Sequence, residues 1–169
     1  MSTGRTSSDN CEVLAQLPEV SVLGRPYCHV DTAFLTQVKF LGTYTVPRID
    51  VQIAATFQSL PGPQILSNYV ATNAVVQPSL GRPLSAGAAN VTVSLIQPGT
   101  LYGERLNQLD LGFVKHVRLG RTRTGVNLDL YNALNRNAIR TVNNNYASWL
   151  TPTAILDARL FKISAQFDF

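Results

Sequence analysis

The sequence predicts an all-β chain of antiparallel strands, and three features carry that reading. Five stretches alternate apolar and polar residues with a period of two, which puts one class of side chain on each face of a strand. The links between these stretches alternate too, a few residues long at one end and tens of residues long at the other. The last stretch keeps its alternation to the final residue, where chains more often fray into a polar tail.

Residues 1–30 lack steady periodicity and are broken by Pro18, Gly24 and Pro26, so a long loop is expected there, with a short extended piece at 19–23. Alternation begins near Ala33. Val38, Phe40, Gly42, Tyr44 and Val46 share one face, against Gln37, Lys39, Leu41, Thr43 and Thr45. Pro47-Arg48 forces a reversal, and Ile49, Val51, Ile53, Ala55 and Phe57 form the apolar row of the next strand. Leu60-Pro61-Gly62-Pro63 ends that strand. Residues 60–104 then make a long connection with extended pieces around 68–76 and 89–96.

A third strand, 107–119, carries Leu109, Leu111, Phe113, Val117 and Leu119 on one face, with Lys115 among them. Gly120-Arg121-Thr122-Arg123 reads as a second short turn. Thr124, Val126, Leu128 and Leu130 follow, opposite Gly125, Asn127, Asp129 and Tyr131. A polar, asparagine-rich segment from Asn132 to about Asp157 leads to the closing strand. There Phe161, Ile163, Ala165, Phe167 and Phe169 oppose Lys162, Ser164, Gln166 and Asp168.

Loops longer than about 12–15 residues are uncommon in compact domains. Short turns on one rim and long loops on the other are the habit of outer-membrane barrels, whose short turns are periplasmic and long loops extracellular. A soluble sandwich would demand the same alternation, so the loop lengths and the aromatic end decide. The expected architecture is part of a membrane barrel, about five to six strands, with residues 1–30 an extracellular loop and 31–169 the barrel portion. Tyr44, Phe167 and Phe169 are expected at the short-turn interface, and Phe57 and Phe161 towards the other. Lys115 is expected to reach into the headgroups.

Composition agrees with a wet lumen and polar loops. Charged residues make up 14% of the chain, below the quarter or so of ordinary soluble domains, and Ser, Thr, Asn and Gln fill the gap. The net charge of +4 is spread without a basic run, which gives nucleic-acid binding no support. No apolar run has the length of a membrane helix. Residues 1–12 lack the apolar core of a secretory signal, so the chain is expected to be the end of a longer exported protein.

The closing stretch resembles the terminal strand of bacterial outer-membrane β-barrels, whose assembly signal is a polar residue, a small residue two later and two aromatics ending the chain. Lys162, Ser164, Phe167 and Phe169 fill those places; the family prefers glycine where Ser164 stands. The order of strand, short turn, strand ending Asn127-Leu128-Asp129-Leu130-Tyr131-Asn132-Ala133-Leu134-Asn135, long loop and aromatic-ended strand is similar to the carboxyl end of TonB-dependent receptors. Together with Tyr102-Gly103-Glu104-Arg105-Leu106-Asn107-Gln108, it resembles their large-loop, Oar-like branch. The resemblance covers about residues 31–169. It implies an outer-membrane location and a share in a solute-uptake barrel. It also implies lipid, the barrel-assembly machinery and the plug and remaining strands of a parent receptor as partners, with TonB met only through the parent's amino-terminal part.

Cys11 and Cys28, the only cysteines, flank a loop of an expected exported chain, so a disulfide is expected, with two free thiols as the alternative. No second pair of ligands accompanies Cys28 and His29 to make a metal site. No nucleophile elbow or phosphate loop is present, and His29 and His116 are far apart in the chain. Asp50, Asp110, Asp129 and Asp168 spread over four strands as a solvated wall rather than a paired acid and base. The chain is thus expected to be neither an enzyme nor a cofactor carrier. Asn143–Asn145 with Tyr146 and Trp149 suit either a ligand-touching loop or an ordinary polar one. The other functions compatible with the sequence are a soluble secreted all-β binding module and a short chain that oligomerises into a pore.

Overall fold

The computed structural model describes residues 1–16, 27–120 and 122–168. In chain order the elements are β1 (Ser2–Gly4), β2 (Ser7–Asp9), α1 (Cys11–Gln16), β3 (His29–Asp31), β4 (Leu35–Val46), β5 (Val51–Leu60) and β6 (Asn68–Thr72). Then come α2 (Asn73–Leu80), β7 (Asn90–Ser94), β8 (Leu106–Leu119), β9 (Thr122–Tyr131), β10 (Ile139–Val142), β11 (Pro152–Ile155) and β12 (Leu160–Asp168). The protein is mostly antiparallel β-sheet. One six-stranded sheet, ordered β1-β4-β5-β8-β9-β12, holds the long strands, and three two-stranded ribbons (β2-β3, β6-β7 and β10-β11) stand off its far end. Among the described residues, no helix is long and apolar enough to cross a membrane.

The pairing register brings the apolar rows into line. Phe40 pairs with Phe57, and Phe57 with Leu109. The next row runs Gly42, Ala55, Leu111, Leu130, Phe161, and the one after it Tyr44, Ile53, Phe113, Leu128, Ile163. Val46, Val51, Lys115, Val126 and Ala165 form a fourth row; Val117, Thr124 and Phe167 form a fifth. Directly paired residues share a face, so one side of the sheet is apolar across five strands. It is also uncovered: Phe40 is 62% exposed, Ile163 76% and Phe167 56%. The apolar residues that are buried, Ala71 and Leu156, lie among the loops instead.

The two short turns end at different levels. Residues 47–50 connect Val46 to Val51, with Asp50 in the left-handed region at φ 50°, a conformation aspartate tolerates. Ile49 therefore lies in the turn and not on the strand that its parity predicts. Leu119 pairs with Thr122, leaving a two-residue link in which Gly120 has φ 63°, as tight hairpins require. Thr122 and Arg123 thus belong to β9 rather than to a four-residue turn. β8 and β9 stay paired four residues past the level of Val46 and Val51, through Val117 with Thr124 and Leu119 with Thr122, and so extend two rows beyond β4 and β5. Phe167 consequently falls two rows beyond Tyr44 instead of beside it. Phe169 and the extended piece expected at 19–23 lie outside the described residues.

The long connections are more ordered than the sequence suggests. Residues 1–30 include β1, paired to β4, and β2, paired to β3. The extended piece expected over 68–76 stops at Thr72, where α2 takes over; eight residues with two valines carry too weak a helical period to read. Gly81, at φ 72°, caps that helix with its N–H on the Gln77 carbonyl. Asn73 ties the ends of the excursion, donating to the Ala88 carbonyl and accepting from the Leu84 N–H, both at 2.8 Å. The asparagine-rich segment holds the β10-β11 hairpin, which its composition hides.

The neck of the 61–105 excursion is pinched at Gly62, where an added Cβ would lie 2.3 Å from the carbonyl oxygens of Gly103 and Glu104. Gly103 N–H reaches the Pro63 carbonyl at 2.9 Å across that neck. Gly62→Ala is expected to cost about 1–3 kcal/mol through the forced backbone shift. Limited proteolysis should then cut faster within 61–105 than in the parent.

Candidate functional site

The face of the sheet opposite the apolar rows is polar and internally hydrogen-bonded. Gln58, on β5, donates from its amide to Gln108 Oε1 on β8 at 3.0 Å. Gln108 in turn donates to both oxygens of Asp110, at 3.0 and 2.9 Å, and Asn127 Nδ2 reaches Ser164 Oγ at 3.4 Å. Asp110 also accepts the backbone N–H of Asn132 at 2.8 Å. The chain leaves β9 at Asn132, which is 2% exposed and holds φ 48°. Asparagine is among the few residues that adopt that conformation readily. Its Nδ2 donates to the carbonyls of Arg136 and Asp157 at 2.8 Å each, and its Oδ1 accepts from the Arg136 N–H at 3.0 Å. Asn132 therefore fixes both ends of the 132–159 excursion to the polar face.

Where that excursion folds back over the sheet it leaves a cleft of about 520 Å³. Gln58, Leu60, Leu106, Gln108, Tyr131 and Leu160 come from the sheet, Pro61 to Pro63 form one side, and Ile139, Arg140, Leu156 and Asp157 come from the returning loop. The volume lies in the range of about 300–1,000 Å³ typical of small-molecule sites. The sequence does not reveal this cleft, because its polar members, Gln58, Gln108, Tyr131, Asn132, Arg140 and Asp157, come from segments far apart in the chain. Only Asn132, following Tyr131 at the end of an alternating run, signals a special position.

The asparagines singled out by sequence serve to fasten loops. Asn144 Oδ1 accepts from the Leu66 N–H at 3.1 Å, Trp149 Nε1 donates to the Leu66 carbonyl at 2.9 Å, and Tyr146 stands edge-on to Tyr69, ring centres 5.6 Å apart. Asn145 caps a 3-10 turn by accepting from the Ala147 N–H. The two long excursions thereby dock on each other. Arg105 clamps the rim beneath them, donating to the Thr36 and Ser59 carbonyls. Lys115 Nζ bonds to the Ile49 carbonyl in the short turn.

Cys11 and Cys28 are joined in a disulfide, their Cα atoms 4.7 Å apart, at the end of the β2-β3 ribbon. Beside it His29 lies between two carboxylates, Nδ1 3.0 Å from Asp9 and Nε2 3.2 Å from Asp31. Both nitrogens find acceptors only when the ring is protonated, and the bonds to Asp9 and then Asp31 raise its pKa. The Asp9 carboxyl is lowered, first by the Cys11 N–H and then by His29; that of Asp31 is lowered by Ser7 and then His29. His116 stands away from this group, on β8 opposite Gly125. Among the described residues, no set of three or more His, Cys, Asp or Glu is placed to hold a metal ion. Asp50 sits in a turn, and Asp110 accepts from the Gln108 side chain and the Asn132 N–H.

Of the residues expected to form an assembly signal, Lys162 and Ser164 pair with Asp129 and Asn127, and Phe167 with Thr124; Phe169 is outside the described residues. No family model, curated protein or solved structure matches the chain.

Two outcomes follow. Asn132→Ala removes three side-chain hydrogen bonds from a buried position and puts alanine at positive φ, so a loss of about 2–4 kcal/mol is expected in denaturant unfolding. The His29 clamp stabilises the ribbon fully below pH ~6.5, and that support is lost as pH rises through the raised folded pKa. The lowered aspartates contribute above ~3.9 and are lost as pH falls through their folded values. An NMR titration should place the His29 midpoint above ~6.5, and Asp9→Asn should lower it; a midpoint unmoved by that change would contradict the clamp.

Proposed function

We propose that this chain forms part of the wall of an outer-membrane β-barrel, the carboxyl-terminal portion of a solute-uptake receptor of the TonB-dependent kind. The observation that carries the reading is the uncovered apolar face: five register-aligned rows with a hydrogen-bonded polar surface behind them. Burying Phe40, Tyr44, Phe161, Ile163 and Phe167 in apolar surroundings would contribute roughly 1.5–3 kcal/mol each. Their sum is comparable to the whole stability of a domain. In water the same face is a liability; against lipid it is the outer surface of a barrel, and the polar face lines the lumen. Strand length agrees, since membrane strands need about 9–11 residues and β4, β5, β8, β9 and β12 have 12, 10, 14, 10 and 9.

Five long strands are too few for closure, which begins at about eight, so the wall needs further strands. Copies of this chain are poor candidates. β4 and β12 run in the same direction because four antiparallel steps separate them, so copies joined along these long strands, past the three-residue β1 that covers β4 at Leu35–Gln37, would meet in parallel, against the antiparallel rule of such barrels. An odd-numbered set of strands from a parent receptor satisfies both edges. The choice of the TonB-dependent class rests on the resemblance of residues 102–169 alone. In this reading lipid covers the outer face, the assembly machinery receives the closing strand, and TonB is reached through the parent's plug-bearing part. The solute is left open.

The test compares charge on the two faces. Ile163→Arg, in the middle apolar row, should cost about 2–4 kcal/mol of insertion into phospholipid vesicles, whereas Thr43→Arg, on the polar face, should cost little. The readout is the protease-protected, heat-modifiable fraction. Equal insertion of the two variants, or a wild-type monomer that melts cooperatively in plain buffer, would reject the membrane wall in favour of a soluble module.

A further inference from the structure

The cleft on the polar face has two charges that the fold leaves open. Arg140 and Asp157 both line it, both are exposed, and ion pairs among the described residues are confined to His29 with Asp9 and Asp31. Their backbone is nonetheless held. Asp157 is held through its carbonyl by the buried Asn132 amide, and Arg140 lies on β10 at the irregularity between Ile139 and Thr141, which pair with Ile155 and Ala154. Gln58 spends its NH2 on Gln108, and Gln108 spends its own on Asp110. The Gln58 side chain lines the cleft, and its carbonyl oxygen is not used in that chain of bonds. Leu60, Leu106, Leu160 and Leu156 line the same cleft.

We propose that this cleft binds a small zwitterion with apolar side chains, an amino acid or short peptide. Arg140 takes the carboxylate, Asp157 and the Gln58 oxygen take the ammonium, and the leucines take the side chains. An anionic ligand alone would meet the Asp157 carboxylate, and a cationic one the Arg140 guanidinium; a ligand carrying both charges meets a partner at each. Charge-assisted bonds of this kind are the strong ones, and the apolar surface between them selects against small hydrophilic zwitterions. The site is built by residues of this chain alone, so the inference stands whether lipid or water covers the far side of the sheet.

The experiment is calorimetric titration of the full folded chain with leucyl-phenylalanine, its carboxyl amide and its N-acetyl form, in detergent micelles or plain buffer. The free dipeptide should bind about tenfold more tightly than either capped form, the loss of one charge-assisted bond in each case. Arg140→Gln should erase the preference over the amide and keep that over the acetylated peptide; Asp157→Asn should do the reverse. Both side chains are exposed, and Asn132 holds Asp157 through the backbone, so neither change threatens the fold. Absence of binding, equal binding of all three peptides, or preferences unchanged in the variants would overturn the assignment. Insertion into vesicles is read separately, so failure here leaves the membrane wall untouched.

Discussion

Everything in this protein depends on the cross-strand register of the long sheet. A slip of one residue between any two strands would carry an entire apolar row to the polar side. Two turns pin it: residues 47–50 fix Val46 opposite Val51, and the two-residue link after Leu119 fixes Thr122 opposite it. Those anchors set Tyr44 opposite Ile53 and Phe113 opposite Leu128, and the β5-β8 and β9-β12 ladders, joined through the long excursions, bring all four into one row with Ile163. The Gln58–Gln108–Asp110 chain exists because the same register sets Gln58 opposite Gln108.

The long-loop end is organised by a different device. There the backbone leaves the sheet, and buried peptide groups must find partners outside the ladder. Asn132 meets that need at one neck by serving as donor twice and acceptor once, while Gly62 meets it at the other by allowing two backbones to approach. The excursions then fasten to each other through Leu66, Asn144 and Trp149. The result is a cross-linked set of loops at this end of the sheet, and the cleft is the space left beside it. The amide that closes the neck also holds the backbone of Asp157.

The long strands are legible in the sequence because a period of two sustained over nine or more residues matches the pleat of a strand and no helical repeat. Their faces can be assigned residue by residue. The turns are legible in place but not in length. Ile49 has the right parity for the strand yet falls in the turn, because parity alone does not record where pairing stops. The ribbons are illegible for a related reason. The β10 strand, Ile139–Val142, and the β11 strand, Pro152–Ile155, are four residues each, too short to show a period among asparagines. The cleft is hidden because it depends on contacts between residues far apart in the chain, such as Asn132 with Asp157 and Gln58 with Gln108. The His29 clamp needs the pairing of Ser7–Asp9 with His29–Asp31 before its two carboxylates come together.

We propose that the apolar face meets lipid and the polar face meets water. With Trp149 changed to phenylalanine, a single tryptophan placed at Ile163 or at Thr43 reports each face in turn, in vesicles whose acyl chains carry bromine. Strong quenching of the tryptophan at 163 and little at 43 is expected, with the order reversed when an aqueous quencher is added. Equal quenching by bromolipid at the two positions, or stronger aqueous quenching at 163, would contradict it.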